Sequence, residues 1–382
     1  MRFCFFGTYV VGAGYPVNRV LHAGLRRAGH TVDVCHTEAW GPFVHRALGT
    51  RNPLRLLALA FRLARAWLVL WWRFRRLATP PDWIIVGYPG FFDAHLARWL
   101  ARGTPVALVS FISLYDTIVA DREKVRPDSG AARLLRHVDR AAFQAADVVL
   151  VDTEIQGRYY ADLFGLDVAR FVRSFVGEDD VEFPYRPHAP RGTEPLRVLF
   201  FGTYVPLHGI ETIIDAAHEL RFEADIELCL IGNGQMFADI RQRAQVLEVT
   251  AEFITDWVAP AVLLERIEAS HVCLGIFGTT AKAARVIPYK VFDAAAVGRA
   301  IVTRDSPAIR EMFTDGVSAL LCPAGDGPAL AAVLRRLRDN EDLRLSLARA
   351  AHEAYLRQGC PEAIGRSLAD MLPPRARIGT TA

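Results

Sequence analysis

Lys290 and Asp293 stand three residues apart in IPYKVFDAAAVGRAIVT, behind Pro288 and ahead of Gly298. Proline, then helix formers, then glycine predicts a short helix, and the two side chains share one face near its N-terminus. An ammonium beside a helix N-terminus suits a diphosphate, and a carboxylate one turn further on suits a ribose diol. The same spacing also describes a surface ion pair, and spacing alone leaves both readings open. Gly12 and Gly14 follow an apolar opening strand, where glycines let backbone N–H groups approach an anionic ligand. They are weak evidence for a dinucleotide: Val17 stands at the third glycine of that fingerprint, Pro16 interrupts it, and Glu38 is its only counterpart to a ribose-binding acid. Asp116 in LYDT, followed by Asp121-Arg122, comes just after the strand PVALVSF, and α/β sheets hold ligands at such strand ends. Asp116 either orients an acceptor hydroxyl or supports the leaving group in catalysis, or else caps a helix.

The elements that must position these residues come in two sets. Residues 2–10 read RFCFFGTYV and residues 197–205 read RVLFFGTYV, with seven identities in nine. Each is apolar without alternation, as a parallel strand covered on both faces should be. Each is followed by a glycine-bearing loop, a helical pattern and a second strand, the opening of a doubly wound sheet. Further strands are predicted at WIIVGYP, PVALVSF and ADVVLVDT in the first half, and at AEFITDW, HVCLGIF, RAIVTRD and SALLCP in the second. The proline-rich stretch RPHAPRGTEP between the sets predicts a linker. The expected architecture is therefore α/β: a Rossmann-like domain over 1–188, a second over 189–360, and a terminal helix within 361–382 that packs back on the first domain ahead of a disordered tail.

Composition narrows the function classes. The chain has 382 residues, 52% hydrophobic and 23% charged, with a net charge of +3. It is neither disordered nor a nucleic-acid binder that works by bulk charge. The six cysteines are scattered and form no CxxC or Cys/His cluster, so buried thiols are expected rather than disulfides or zinc. The opening MRFCFFGTYV predicts a strand and no secretory leader. No uncharged run reaches the ~18 to 20 residues that cross a bilayer. A cytoplasmic protein, peripheral on the cytosolic face of a membrane, is expected. Residues 51–77 carry that expectation: seven arginines, no acid, and Trp67, Trp71 and Trp72. Five of the arginines project onto one helical stripe, which suits an anionic membrane surface. A sheet-packing helix with a solvated arginine face is the other reading.

The order of FGTYVPLHGIETIIDAA, LIGNGQM, FITDWV and IPYKVFDAAAVGRAIVT resembles the donor half of family 4-like glycosyltransferases with the GT-B fold, two Rossmann-like domains facing across a cleft. FISLYDTIVADR, ADVVLVDT and VGEDDVEF resemble the acceptor half, so the resemblance runs to about residue 372. It implies transfer of a sugar, of hexosyl type, from a nucleotide-diphosphate donor to a glycan or lipid-linked hydroxyl, with retention and without a metal or other cofactor. Carried over residue by residue, Gly202 and Thr203 face the donor, with Gly209 opening the helix behind them. His208 stands in place of a phosphate-binding lysine, Gly232, Asn233 and Gly234 form a turn at the nucleotide, and Asp256 and Trp257 hold the base. Asp293 matches the second acid of the family's E-x7-E element, which binds ribose; Arg285 stands in place of the first. Lys290 and His208 would steady the departing diphosphate, and Gly12, Gly14 and Asp116 would serve the acceptor. Polysaccharide biosynthesis is the implied setting. A nucleotide-sugar epimerase on the same fold, or a non-catalytic nucleotide- and membrane-binding protein, are the alternatives.

Overall fold

The computed structural model describes residues 1–11, 16–39, 53–187 and 190–374. The chain divides into two compact units, one taking in Met1–Val119, Val125–Val176 and Pro361–Ala382, the other Ala120–Lys124 and Gly177–Cys360.

In the first unit β1 (Arg2–Gly7) leads through α1 (Val17–Arg27) to β2 (Thr31–His36). Then come α2 (Pro53–Arg75), β3 (Trp83–Val86), α3 (Asp93–Leu100) and β4 (Val106–Val109). A π-helical segment (Asp116–Asp121), α4 (Gly130–Ala145), β5 (Val148–Val151), α5 (Glu154–Phe164) and β6 (Phe171–Arg173) complete it. These strands form a parallel sheet in the order β2-β1-β3-β4-β5-β6. Phe3, Cys4, Phe5 and Phe6 are all buried, as expected of a strand with helices on both faces.

The second unit repeats the plan. β7 (Leu196–Phe201), α6 (Ile210–Glu219), β8 (Ile226–Ile231), α7 (Phe237–Val246) and β9 (Glu252–Ile254) run outward. α8 (Pro260–Ala269) then carries the chain back to β10 (Val272–Leu274), followed by α9 (Tyr289–Val297), β11 (Ala300–Arg304) and β12 (Leu320–Cys322). The parallel order is β12-β11-β10-β7-β8-β9. In each sheet the chain leaves its first strand on one side and returns on the other. The β1/β3 and β7/β10 junctions are therefore switch points, where open α/β sheets bind ligands at the strands' carboxyl ends.

The break between units falls at Val176–Gly177, not at 188–189. Residues 178–186 are already tied into the second unit: Glu178 N donates to Gly359 O at 3.3 Å, the Tyr355 hydroxyl to Glu178 O at 2.8 Å, and Arg186 N to Val297 O at 3.1 Å. Two further helices follow β12, α10 (Gly327–Asp339) and α11 (Glu341–Gln358). Asn340 separates them, its Oδ1 accepting from Leu343 N at 2.9 Å as an N-cap. All six cysteines are free, and Cys229 alone of them is only half-buried. No helix among the described residues is long and apolar enough to cross a membrane.

Within 51–77, Arg51 and the side chain of Arg55 lie outside the described residues. Trp67 departs from the membrane-facing position expected of it: its Nε1 donates to Asp93 Oδ1 at 2.9 Å. Burial of Leu59, Ala66 and Leu70 fixes which face of α2 turns inward, and Trp67 lies beside that face.

The last helix, α12 (Pro361–Met371), packs on α1 through two glycines. A Cβ on Gly24 would lie 2.1 Å from Pro361 O, and one on Gly365 2.1 Å from Gly24 O. Trp83 Nε1 fastens the segment beyond, donating to Pro373 O at 2.8 Å. Gly24→Ala should force the helices apart and lower the unfolding free energy by about 1–3 kcal/mol in urea titration.

Candidate active site

The second unit's switch point is built from backbone first. Gly202 follows β7 with φ +143°, Gly232 follows β8 with φ +145°, and a Cβ on Gly232 would come within 2.0 Å of Gly202 O. Only glycine permits that approach. Gly202 N donates to Ile231 O at 2.9 Å, Tyr204 N to Asn233 O at 3.0 Å, and Met236 N to Tyr204 O at 3.2 Å. The loops after β7 and β8 are thereby locked together. Asn233 is exposed, its Oδ1 accepting from Gly234 N at 2.7 Å. Thr203 is exposed on the loop after β7, and Gly209 caps the N-terminus of α6.

Into this cradle α9 projects Lys290. Its Nζ lies 3.9 Å from the Phe200 ring centroid, and would stand 2.9 Å from a Cβ on Gly202. The residue is 5% exposed, and Nζ has no hydrogen-bond partner among the described residues. Burial pushes the ammonium well below the ordinary lysine range, and nearby Asp293 offsets only part of this. His208 Cε1 would stand 3.1 Å from the same Cβ. Its Nδ1 faces the Thr203 carbonyl, so Nδ1 is the protonated nitrogen of the neutral ring. Burial, then Lys290, holds His208 well below its usual range. Sequence spacing had put Lys290 and Asp293 on one face; the structure makes that face a buried one.

Asp293 is buried as well. Burial, then the neighbouring Glu178 and Glu182, raises its carboxyl well above the usual range. A surface ion pair is therefore excluded. Glu178, from the string VGEDDVEF, is a site neighbour that sequence reasoning missed, since nothing local shows that residue 178 folds onto α9. Asp256 and Trp257 are exposed on the loop after β9, at the same carboxyl edge of the sheet. Arg285 is buried ahead of α9.

In the first unit Asp116 is fully buried. It is not the cap of its turn: Ser113 Oγ accepts from Asp116 N at 3.0 Å and holds that position. Behind it Asp139 of α4 accepts from Ser113 Oγ at 2.6 Å, Tyr115 N at 2.8 Å and Leu114 N at 3.1 Å. Burial raises the Asp139 carboxyl to about 6, against those three donors. Asp139 too was missed, although the sequence carried a sign of it. It lies on the face of α4 that buries Ala132, Ala142 and Phe143, an acid where that face should be apolar. Gly12 and Gly14 lie outside the described residues.

At the first switch point Asp93 takes the place that Lys290 holds in the second. Its Oδ2 would stand 2.9 Å from a Cβ on Gly7, and accepts from Thr8 N at 2.6 Å and Thr8 Oγ1 at 2.7 Å. With Trp67 on its other oxygen, Asp93 is fully bonded and structural.

A model of group 1 glycosyl transferases matches residues 195–340, and a model of a glycosyl transferase 4-like domain matches residues 15–173. The chain belongs to the family 4-like GT-B glycosyltransferases. Solved structures agree on the fold. Anabaena HepE in complex with UDP and glucose is 15% identical, covering 97% of this chain and 99% of its own at a TM-score of 0.68. The sucrose-phosphate synthase of Thermosynechococcus elongatus is 16% identical over 100% of both chains, at 0.69. A glycosyltransferase from Rickettsia africae is 10% identical over 100% of this chain and 99% of its own, at 0.65. No curated protein matches the chain.

Two outcomes are expected of this glycosyltransferase's polar cores. Lys290→Met removes a buried charge and keeps its volume, so the midpoint of thermal unfolding should rise. The second outcome concerns Asp139. The folded state holds its proton more tightly than the unfolded chain, so wild-type stability should fall as pH rises from 3.8 towards about 6. Denaturation across that window should show the fall in wild type and a flatter profile in Asp139→Asn.

Proposed function

We propose that this glycosyltransferase moves a hexosyl group from a nucleoside-diphosphate sugar to a hydroxyl of a glycan or lipid-linked saccharide, with retention and without a metal. The observation that carries the reading is Lys290, a buried side chain whose Nζ has no hydrogen-bond partner among the described residues, beside a glycine cradle at a switch point. Such a group wants an anion. A diphosphate reaching the Gly202 turn would meet Lys290, the His208 ring and the glycine turn at Gly232, Asn233 and Gly234. Two cationic side chains can take the leaving group's charge without a metal. Anabaena HepE has been solved in complex with UDP-glucose and with UDP and glucose, which supports a hexose donor here.

Asp293, its carboxyl raised well above the usual range by burial and Glu178, is the candidate partner of the ribose hydroxyls. The exposed Trp257 ring offers a stacking surface for the base, with Asp256 and Thr203 beside the same edge. Arg285, in the place of the family's first acid, bears on the donor sugar. In the first unit, Asp116 on its Asp139-anchored turn is the candidate acceptor contact, with Gly12 and Gly14.

Diphosphate binding should draw protons onto Lys290 and His208, because both are held below their usual ranges and an adjacent anion restores them. Calorimetric titration with UDP near pH 8 in buffers of different ionisation enthalpy should show net proton uptake, lost in Lys290→Met. Asp293→Ala should weaken the same binding by about 1.5–3 kcal/mol.

The direct test is incubation with a panel of UDP and GDP sugars and membrane lipid, with and without EDTA. Release of nucleoside diphosphate, unaffected by EDTA and cut by about 100-fold or more in Lys290→Ala, is expected. NMR of the product should show the donor's anomeric configuration. A free nucleotide sugar of altered configuration would mean an epimerase instead, and an inverted glycoside would overturn retention.

A further inference from the structure

Helix α2 turns outward a face that nothing among the described residues covers. Leu57, Phe61, Ala64, Leu68, Trp71 and Trp72 fall on one stripe of its surface. Phe61 is 72% exposed, Leu68 70%, Leu57 67% and Trp72 47%. Single exposed leucines need no explanation; a stripe of four helical turns does. Alongside it lies a band of exposed Arg62, Arg65 and Arg76, and no acidic residue occurs from 51 to 77. The Arg76 guanidinium sits over the Trp72 ring, 3.7 Å from its centroid.

We propose that α2 is an interfacial helix. It lays Leu57, Phe61, Leu68 and Trp72 into the surface of an anionic lipid bilayer and sets its arginine band on the headgroup phosphates. The two halves of the face select this occupant. Phosphates explain the arginines, but a nucleic acid would leave the apolar stripe in water. Pairing with a second copy would cover the stripe but bring two arginine bands together without an acid between them. A bilayer satisfies both at once, with tryptophan at headgroup depth and guanidinium beside it.

The inner face fixes how the helix is held. Trp67 donates to Asp93, Asp93 accepts from Thr8, and the Arg73 side chain donates to His36 O, so α2 is fastened to the carboxyl ends of β1 and β2. Docking α2 therefore orients the first unit's switch point against the membrane. The proposal rests on the transferase reading only in what it adds there: the acceptor would be a lipid-linked saccharide.

The test is flotation of the full chain with vesicles of phosphatidylcholine alone or with one third phosphatidylglycerol. Binding is expected to the anionic vesicles, weakening about tenfold or more as NaCl rises from about 0.05 to 0.5 M. Phe61→Ser, Leu68→Ser and Trp72→Ser together should reduce it by about tenfold or more, as should Arg62→Gln, Arg65→Gln and Arg76→Gln together. These positions are exposed and leave the Trp67–Asp93 bond intact, and circular dichroism checks that each variant is folded. No binding by wild type at low salt, or equal binding by both variants, overturns the proposal. So does a wild-type dimer that the serine variant splits, which would assign the face to a second copy. UDP titration of the same variants keeps the two readings apart: it should be unchanged if only the membrane face is lost, and failure of wild type to bind nucleotide would sink the donor reading alone.

Discussion

The ammonium of Lys290 costs the second unit free energy that the groups around it return only in part. Water has been stripped from it, Phe200 offers only the face of a ring, and nearby Asp293, its own carboxyl raised by burial and Glu178, offsets a share. A buried charge is tolerated where an anion later meets it. Much of the local architecture follows from keeping that site open: glycine at 202 and 232 so that two loops can touch, and a short α9 that delivers the lysine from below.

The internal echo shows the same scaffold used in two ways. Gly7 ends and Gly202 follows the first strand of its sheet, both with positive φ, and each faces a single buried charged side chain from a helix N-terminal turn. In the first unit that side chain is Asp93, whose oxygens accept from Thr8 and Trp67. In the second it is Lys290, which has no such partner. One fold position is thus a structural bolt in one unit and a candidate ligand contact in the other. Hydrogen-bond satisfaction, not position, separates them.

Asp93 also explains why α2 can expose so much apolar surface without losing its place. An indole N–H to a buried carboxylate and a guanidinium to a strand-end carbonyl hold the inner face, and the outer face is left to other contacts. Asp139 works similarly under the Asp116 turn, where three donors converge on one carboxylate. Both acids reach from helices to the segments that follow strand ends, where backbone donors freed from the sheet need acceptors.

The strands and their parallel pairing were legible in the sequence because a strand covered on both faces must be apolar throughout, and RFCFFG and RVLFFG are. So was the pairing of Lys290 with Asp293 on one helix face, since helical periodicity is local. Sequence could not say whether that face is buried, and burial is what pushes the Lys290 ammonium down and the Asp293 carboxyl up from their usual ranges. Nor could it show that residues 178–186 leave the linker for the second unit, that Trp67 points inward while Trp72 points out, or that Glu178 and Asp139 stand behind the candidate site residues. Each of these depends on contacts between segments far apart in the chain, and desolvation, which shifts Lys290, His208 and Asp293 from their usual ranges, exists only once those segments have come together.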